Sequence, residues 1–223
     1  MRKPGVFGFV MCLFLSFLLL APANAQGAGV NEAYTKVLAE WKSACNKAKS
    51  EGDTDGDFSF DFYDMSALAS VKAYYALYDI DGNGIPELIL KKTTSYEDII
   101  AYIFTIKDGK ALNIFGYDDR GRPGEVPWSR EGSSAILSNG LIDCTDGDYT
   151  LYRMADDGYS VTKFASREPQ DSPDGASLHE AKWKYYANKK QVDYDAYLRH
   201  LKTRGYKVGG ENPLASIDWV ALH

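Results

Sequence analysis

Nine residues, Asp79-Ile80-Asp81-Gly82-Asn83-Gly84-Ile85-Pro86-Glu87, do most to narrow the folds open to this chain. They separate two apolar runs. Upstream, Val71, Ala73, Tyr75 and Leu77 alternate with Tyr74, Ala76 and Tyr78, which is the two-residue period of a strand. Downstream comes Leu88-Ile89-Leu90. Asn83-Gly84 between them is a strong type I′ turn pair, because both central positions need positive φ. The two runs are therefore predicted to fold back on each other as antiparallel strands.

The strand period continues. Ile99 to Ile106 reads as a third strand, Asp108-Gly109 as a hairpin turn and Ala111 to Phe115 as a fourth strand. A loop rich in glycine, proline and charge occupies about 117–132. Ala135 to Cys144, Tyr149 to Met154 and Tyr159 to Ala165 follow as further strands, the last two joined by Asp156-Asp157-Gly158. Lys182 to Tyr186 reads as one more. Short strands and tight turns point to an antiparallel meander over a parallel sheet.

Helices are predicted at both ends. Tyr34, Val37, Leu38, Trp41, Cys45 and Ala48 recur at three- and four-residue spacing, with Asn31 as N-cap and Gly52 as stop. Asp193 caps a second helix carrying Tyr194, Tyr197, Leu198 and Leu201, stopped at Gly205. The expected architecture is one α+β domain over residues 26–223. It has an N-terminal helix at 31–50, a meander sheet at about 71–166 and a C-terminal helix at about 193–204.

Residues 1–25 are set apart from that domain. A basic start, Arg2-Lys3, precedes an apolar run from Val6 to Leu20 and a small-x-small site, Ala23-Asn24-Ala25. This is the layout of a secretory signal peptide, and the run is too short for a membrane span. Its removal would leave a net charge of (25 − 2) − 31 = −8. A chain this acidic is a poor candidate for binding nucleic acid or an anionic membrane surface. The expectation is a protein exported to the periplasm or beyond, with an envelope or extracellular ligand, glycan or protein.

Export changes the meaning of the cysteines. Cys45 and Cys144 remain after Cys12 leaves with the leader. An even pair in an oxidising compartment is a candidate disulfide, worth roughly 4 kcal/mol for a loop of about 100 residues. Two buried thiols, each packing as a small hydrophobe, are the other reading.

The nine-residue turn also carries chemistry. Counted from Asp79, oxygen-bearing side chains fall at positions 1, 3, 5 and 9, with glycine at position 6. A hard cation such as Ca²⁺ takes six to eight oxygens at about 2.3–2.6 Å, and alternating positions of a wrapped loop supply them. Position 7, Ile85, would give its carbonyl while its side chain packs inward. A bare hairpin with solvated acids is the simpler reading, but it does not call for Asp79, Asp81 and Glu87 as a set.

The stretch resembles the EF-hand-like D-x-[DN]-x-[DN]-G-x-x-[DE] loop of FG-GAP, VCBS and dockerin-type modules. It is still more similar to a phrase common in secreted bacterial proteins, Y-D-I-D-G-N-G-I-P-E-L. The resemblance covers Tyr78 to Leu90 and implies a calcium site made by Asp79, Asp81, Asn83, Ile85 and Glu87. Leu90 stands where a helix–loop–helix site has its bidentate glutamate, so water must complete the shell. The expected affinity is roughly 10⁻⁴–10⁻³ M. Asp53, Asp55, Asp57 and Asp61 echo the spacing, but Phe58 replaces the glycine, and they read as an acidic linker.

Catalytic signatures are broken or absent from the sequence. His179-Glu180 begins like a zinc-protease helix, but Trp183 stands where the second histidine belongs. Ser160 and Lys163 match S-x-x-K on a strand, where an odd offset points them apart. His200 and His223 are isolated. Glu125 and Glu131 are acids with nothing to single them out for glycosidase work. Trp41 and Trp219 read as core, and Trp128 as a candidate exposed contact. The sequence reading is a non-catalytic binding or accessory protein with one structural calcium site. The rival is a secreted hydrolase of glycans or peptides that uses the ion as scaffold.

Overall fold

A capped apolar stripe starts the fold. In the computed structural model, which describes residues 31–51, 72–93, 98–117, 124–127, 134–144, 150–170, 182–208 and 212–222, the helix α1 spans Glu32–Glu51. The Asn31 side chain accepts from Ala33 N at 2.9 Å, satisfying one of the open amides of the first turn. Tyr34, Trp41, Ala44 and Cys45 are buried along its inner face, with Val37 and Leu38 partly so. Each large side chain so buried contributes about 1.5–3 kcal/mol.

The first sheet receives that stripe. β1 (Lys72–Tyr78), β2 (Glu87–Thr93), β3 (Asp98–Lys107) and β4 (Lys110–Asn113) run as an antiparallel meander. Asp108 and Gly109 turn β3 into β4 with φ of 50° and 74°, as their sequence leads one to expect. Alternation divides the side chains between two faces. Leu88, Leu90, Tyr102 and Phe104 face α1, while Ile89 and Ile103 face the opposite way. A bulge sets Leu90 against Tyr102 and Lys91 against Ile100, so Ala101 is the extra residue. It resets the alternation and sends Ile100 to the face away from α1.

A second sheet covers that other face. Its strands are β5 (Ala135–Ile136), β6 (Leu141–Cys144), β7 (Thr150–Met154), β8 (Val161–Pro169), β9 (Trp183–Ala187) and β10 (Lys190–Val192), again antiparallel in sequence order. Ile136, Ile142, Cys144 and Met154 pack against Ile89, Ile100 and Ile103 of the first sheet and against Ile80, just after β1. The outer face of the second sheet, through Leu141, Leu151 and Phe164, packs on α2 (Tyr194–Lys202) at Tyr197 and Leu201. Asp193 caps α2 by accepting from Ala196 N at 2.7 Å. His200 Nε2 lies 2.9 Å from the Phe164 carbonyl and its ring stacks on Phe164, so this histidine holds α2 to β8. β11 (Val220–Leu222) then returns to pair with β1 at the edge of the first sheet.

The layers are therefore helix, sheet, sheet, helix. A β-rich antiparallel fold with two helices agrees with expectation, but a single meander over 71–166 does not. The strands split into two sheets because both faces of the first are apolar and each needs a cover. The run from 135 to 144 likewise breaks in two. Leu137 N donates to Leu141 O at 2.8 Å around Ser138-Asn139-Gly140, with Gly140 at φ 77°. Asn139-Gly140 is an Asn-Gly turn inside what reads as one apolar strand.

Cys45 and Cys144, the expected disulfide pair, are both buried and sit in different layers. Cys45 lies between α1 and the first sheet, Cys144 between the two sheets. The first sheet stands between them, and packed layers about 10 Å apart exceed the ~7 Å Cα limit for a bridge. No helix among the described residues is long and apolar enough to cross a membrane. Residues 1–25, expected to be a signal peptide, lie outside the described residues.

Candidate metal centre

The loop between β1 and β2 begins right after Tyr78 and ends on Glu87, which pair across the hairpin. Gly82 and Gly84 adopt φ of 76° and 87°, a left-handed region costly to other residues, and they fold the loop tightly. Asp79 sits at the centre of the turn. Its Oδ1 accepts from Gly82 N at 2.8 Å and Asn83 N at 3.1 Å, and its Oδ2 from Gly84 N at 2.8 Å.

Three of the five expected ligands converge. Carboxylate oxygens of Asp79, Asp81 and Glu87 all lie within 4.8 Å of one another. Asp81 accepts from Asn83 N and from Asn83 Nδ2, both at 3.1 Å. The fourth expected ligand, Asn83, turns its side-chain oxygen to Ile85 N at 2.7 Å. Ile85 departs from expectation, since its side chain is 40 % exposed and does not pack inward. Ile80, at 4 % exposure, fills the core instead, because the strand alternation carried past Tyr78 turns position 2 inward.

Glu87 is the least ordinary group. It is 0 % exposed, yet it is a carboxyl. Its Oε2 accepts from Ile80 N at 2.8 Å and its Oε1 from Thr105 Oγ1 at 3.2 Å. Burial pushes it up to about 7, and the charges of Asp81 and Asp79 add to the rise, while the Ile80 and Thr105 hydrogen bonds oppose it. Burial also raises Asp81, against the Asn83 amide that favours its charged form. Among the described residues no lysine or arginine forms an ion pair with any of the three. A buried carboxylate beside two others, without a cation, is the arrangement that a bound divalent ion relieves.

Long-range contacts hold the loop in place. The Tyr34 hydroxyl donates to Pro86 O at 3.0 Å and Phe104 O at 3.2 Å, tying α1 to the loop's exit. On the other side, two turns of the second sheet come up against the loop. A β-carbon on Gly140 would stand 2.7 Å from Ile80 O, and one on Gly158 would stand 3.4 Å from Asn83 Nδ2. Tyr34, Thr105, Gly140 and Gly158 carry no local signal of this role, since each meets the loop only through tertiary packing.

The other sequence candidates separate from the site. Ser160 bonds Asp157 through its hydroxyl at 3.3 Å, while Lys163 is exposed on β8. Glu125 accepts from Tyr102 at 3.0 Å. Trp41 is core, as expected, and Trp219 is partly buried with Lys91 Nζ 4.5 Å from its ring centre. Asp53, Asp55, Asp57, Asp61, Trp128, Glu131, His179, Glu180 and His223 lie outside the described residues. Compared with known proteins, the chain matches no family model, no curated protein and no solved structure.

Proposed function

We propose that this protein is an exported binding or accessory component of the cell envelope, with one structural Ca²⁺ held by the 79–87 loop. Asp79, Asp81 and Glu87 are its charged ligands, joined by Asn83 and the Ile85 carbonyl. Asn83 would give up its bond to Ile85 N in order to ligate. One observation carries the reading: the buried Glu87 faces Asp79 and Asp81 within 4.8 Å, with no cationic side chain among the described residues paired to them. All five groups offer oxygen, which suits calcium and not the softer transition metals.

The ion's task is mechanical. The loop is the point where α1, the first sheet and two turns of the second sheet meet, so neutralising its charge fixes all four together. Asp156 and Asp157 give some support to a secreted hydrolase of glycans or peptides, since they lie in a cleft near the loop. Asp156 is paired to Arg153 at 2.9 Å and Asp157 is bonded by its own turn, so the binding reading is preferred. Titration calorimetry of metal-free protein tests the site. Calcium should bind with one-to-one stoichiometry in the wild type, and Asp79→Ala should give no heat of binding. Equal binding by the variant would remove the loop as the site.

A further inference from the structure

The cleft beside the loop has a volume of about 430 Å³. That lies within the ~300–1,000 Å³ typical of small-molecule sites. Of the five expected calcium ligands, Asp81 and Asn83 line it. The others are closed in. Glu87 is buried against Ile80 N and Thr105 Oγ1, and Asp79 accepts from three amides of its own turn. The loop supplies five ligand groups where calcium takes six to eight, which leaves about one to three positions for other oxygens. Those positions open on the side of Asp81 and Asn83, which is the side of the cleft.

Charge narrows what can fill them. Asp81, Asp156 and Asp157 line the cleft against Arg153 and Arg204, which is 2 − 3 = −1. A divalent ion leaves Asp79, Asp81 and Glu87 at 2 − 3 = −1 as well. The cleft is negative with or without the ion, so an anionic ligand is disfavoured. The ion itself opposes a cationic group beside it. A neutral oxygen donor meets neither penalty. Of the wall groups, Arg153 Nη1 donates to Asp156 at 2.9 Å, and Asp157 accepts from Tyr159 N at 2.8 Å within its own turn. Arg204 is exposed and forms no ion pair among the described residues. Ile80 and Met154 also line the cleft, but each is 4 % exposed and committed to the core, so there is little apolar wall.

We propose that this cleft binds a neutral saccharide, two adjacent hydroxyl oxygens of which take open positions on the loop cation while Arg204 donates to a further sugar oxygen. The proposal rests on the calcium reading. A sugar ring holds neighbouring hydroxyls side by side, so both reach one ion with little freedom left to lose. Calcium accepts neutral hydroxyl oxygens in its flexible shell. Each hydroxyl keeps its proton, which a carboxylate can accept. Asp81 stands at the ion, and Asp156 has one oxygen paired to Arg153 and a second open to a sugar hydroxyl. The lack of apolar wall disfavours a peptide that must bury side chains.

Methyl α-mannopyranoside, observed by saturation-transfer NMR in millimolar Ca²⁺, tests this, with melting curves recorded in parallel. Binding is expected with Ca²⁺, and its loss with chelator. The 3-deoxy analogue keeps three hydroxyls but no adjacent pair, and should bind at least about tenfold more weakly. Coupling between two sites is reciprocal, so the mannoside should lower the Ca²⁺ concentration that half-saturates the loop, and the 3-deoxy analogue should not. Arg204→Ala should weaken the mannoside several-fold yet keep the calcium-induced rise in melting temperature, which shows that the variant folds. Unchanged affinity in Arg204→Ala, equal binding of the 3-deoxy analogue, or no mannoside binding by protein that still responds to calcium would overturn the proposal alone. A melting temperature indifferent to calcium would overturn the calcium reading and this proposal with it.

Discussion

The Tyr34 hydroxyl, on the first turn of α1, donates to the carbonyl of Pro86 at 3.0 Å, one residue before the buried Glu87. The same hydroxyl lies 3.2 Å from Phe104 O, so its one proton is shared between two carbonyls. Burial and the nearby Glu87 raise the pKa of this phenol, which keeps it protonated and donating. Tyr34→Phe keeps the ring and strands both acceptors. The expected loss is roughly 1–3 kcal/mol of stability, read from urea denaturation, with weaker calcium binding because the loop's exit is no longer held.

Gly140 should be the least tolerant glycine near the site. Its φ is 77°, and a β-carbon would stand 2.7 Å from the Ile80 carbonyl, a backbone atom that cannot step aside. Gly140→Ala is expected to cost about 1–3 kcal/mol through strain and through separation of the turn from the loop. Gly158→Ala meets its nearest atom, Asn83 Nδ2, at 3.4 Å, the movable end of a side chain. It should cost less in the same melt. The reverse order would mean that the 138–140 turn does not pack on the loop as described.

Glu87 gives metal-free protein a pH dependence of definite sign. Its folded pKa is raised from 4.5 to about 7. The carboxyl therefore contributes stability fully below pH 4.5, and that contribution is lost as pH rises through about 7. A shift of this size corresponds to about 3 kcal/mol. In chelator, the wild type should lose stability between pH 5 and pH 8. Glu87→Gln, which keeps an acceptor for Ile80 N without the charge, should lose much less and should not respond to calcium. A wild type and variant with the same pH profile would place Glu87 outside the energetics of the loop.

The hairpin and the helices were legible because their signals are local. Asp108-Gly109 needed only its own backbone preferences, and Asn31 and Asp193 only the open amides beside them, whereas Asn83-Gly84 does not form the expected type I′ turn, because Gly82 and Gly84, and not Asn83, take the positive φ. The convergence of Asp79, Asp81 and Glu87 followed from spacing within one turn. The division into two sheets was not legible, because alternation states that a strand has two faces and not what covers each. Ile85 misled for a related reason, since position within a loop fixes where a carbonyl can point but not which side chain meets the core. The cleft residue Arg204 lies 121 positions after Asn83, beyond any sequence period.

The cysteines offer a simple check on the layers. With the first sheet between Cys45 and Cys144, non-reducing digestion followed by mass spectrometry should recover their peptides unlinked. A linked pair would require the two layers to lie closer than the structure places them.

Thermal melting of metal-free protein at pH 8, with and without millimolar Ca²⁺, tests the calcium site most directly. A ligand that binds the native state alone stabilises it by about 2.7 kcal/mol at 100 times its dissociation constant. The melting temperature should rise with Ca²⁺, rise less with Mg²⁺, whose tight octahedral shell is reluctant to shed water, and return to baseline with chelator. Asp79→Ala should melt at one temperature under all three conditions. A wild-type melting temperature unmoved by Ca²⁺, in protein shown by elemental analysis to start without metal, would contradict the site and leave the 79–87 loop an acidic turn.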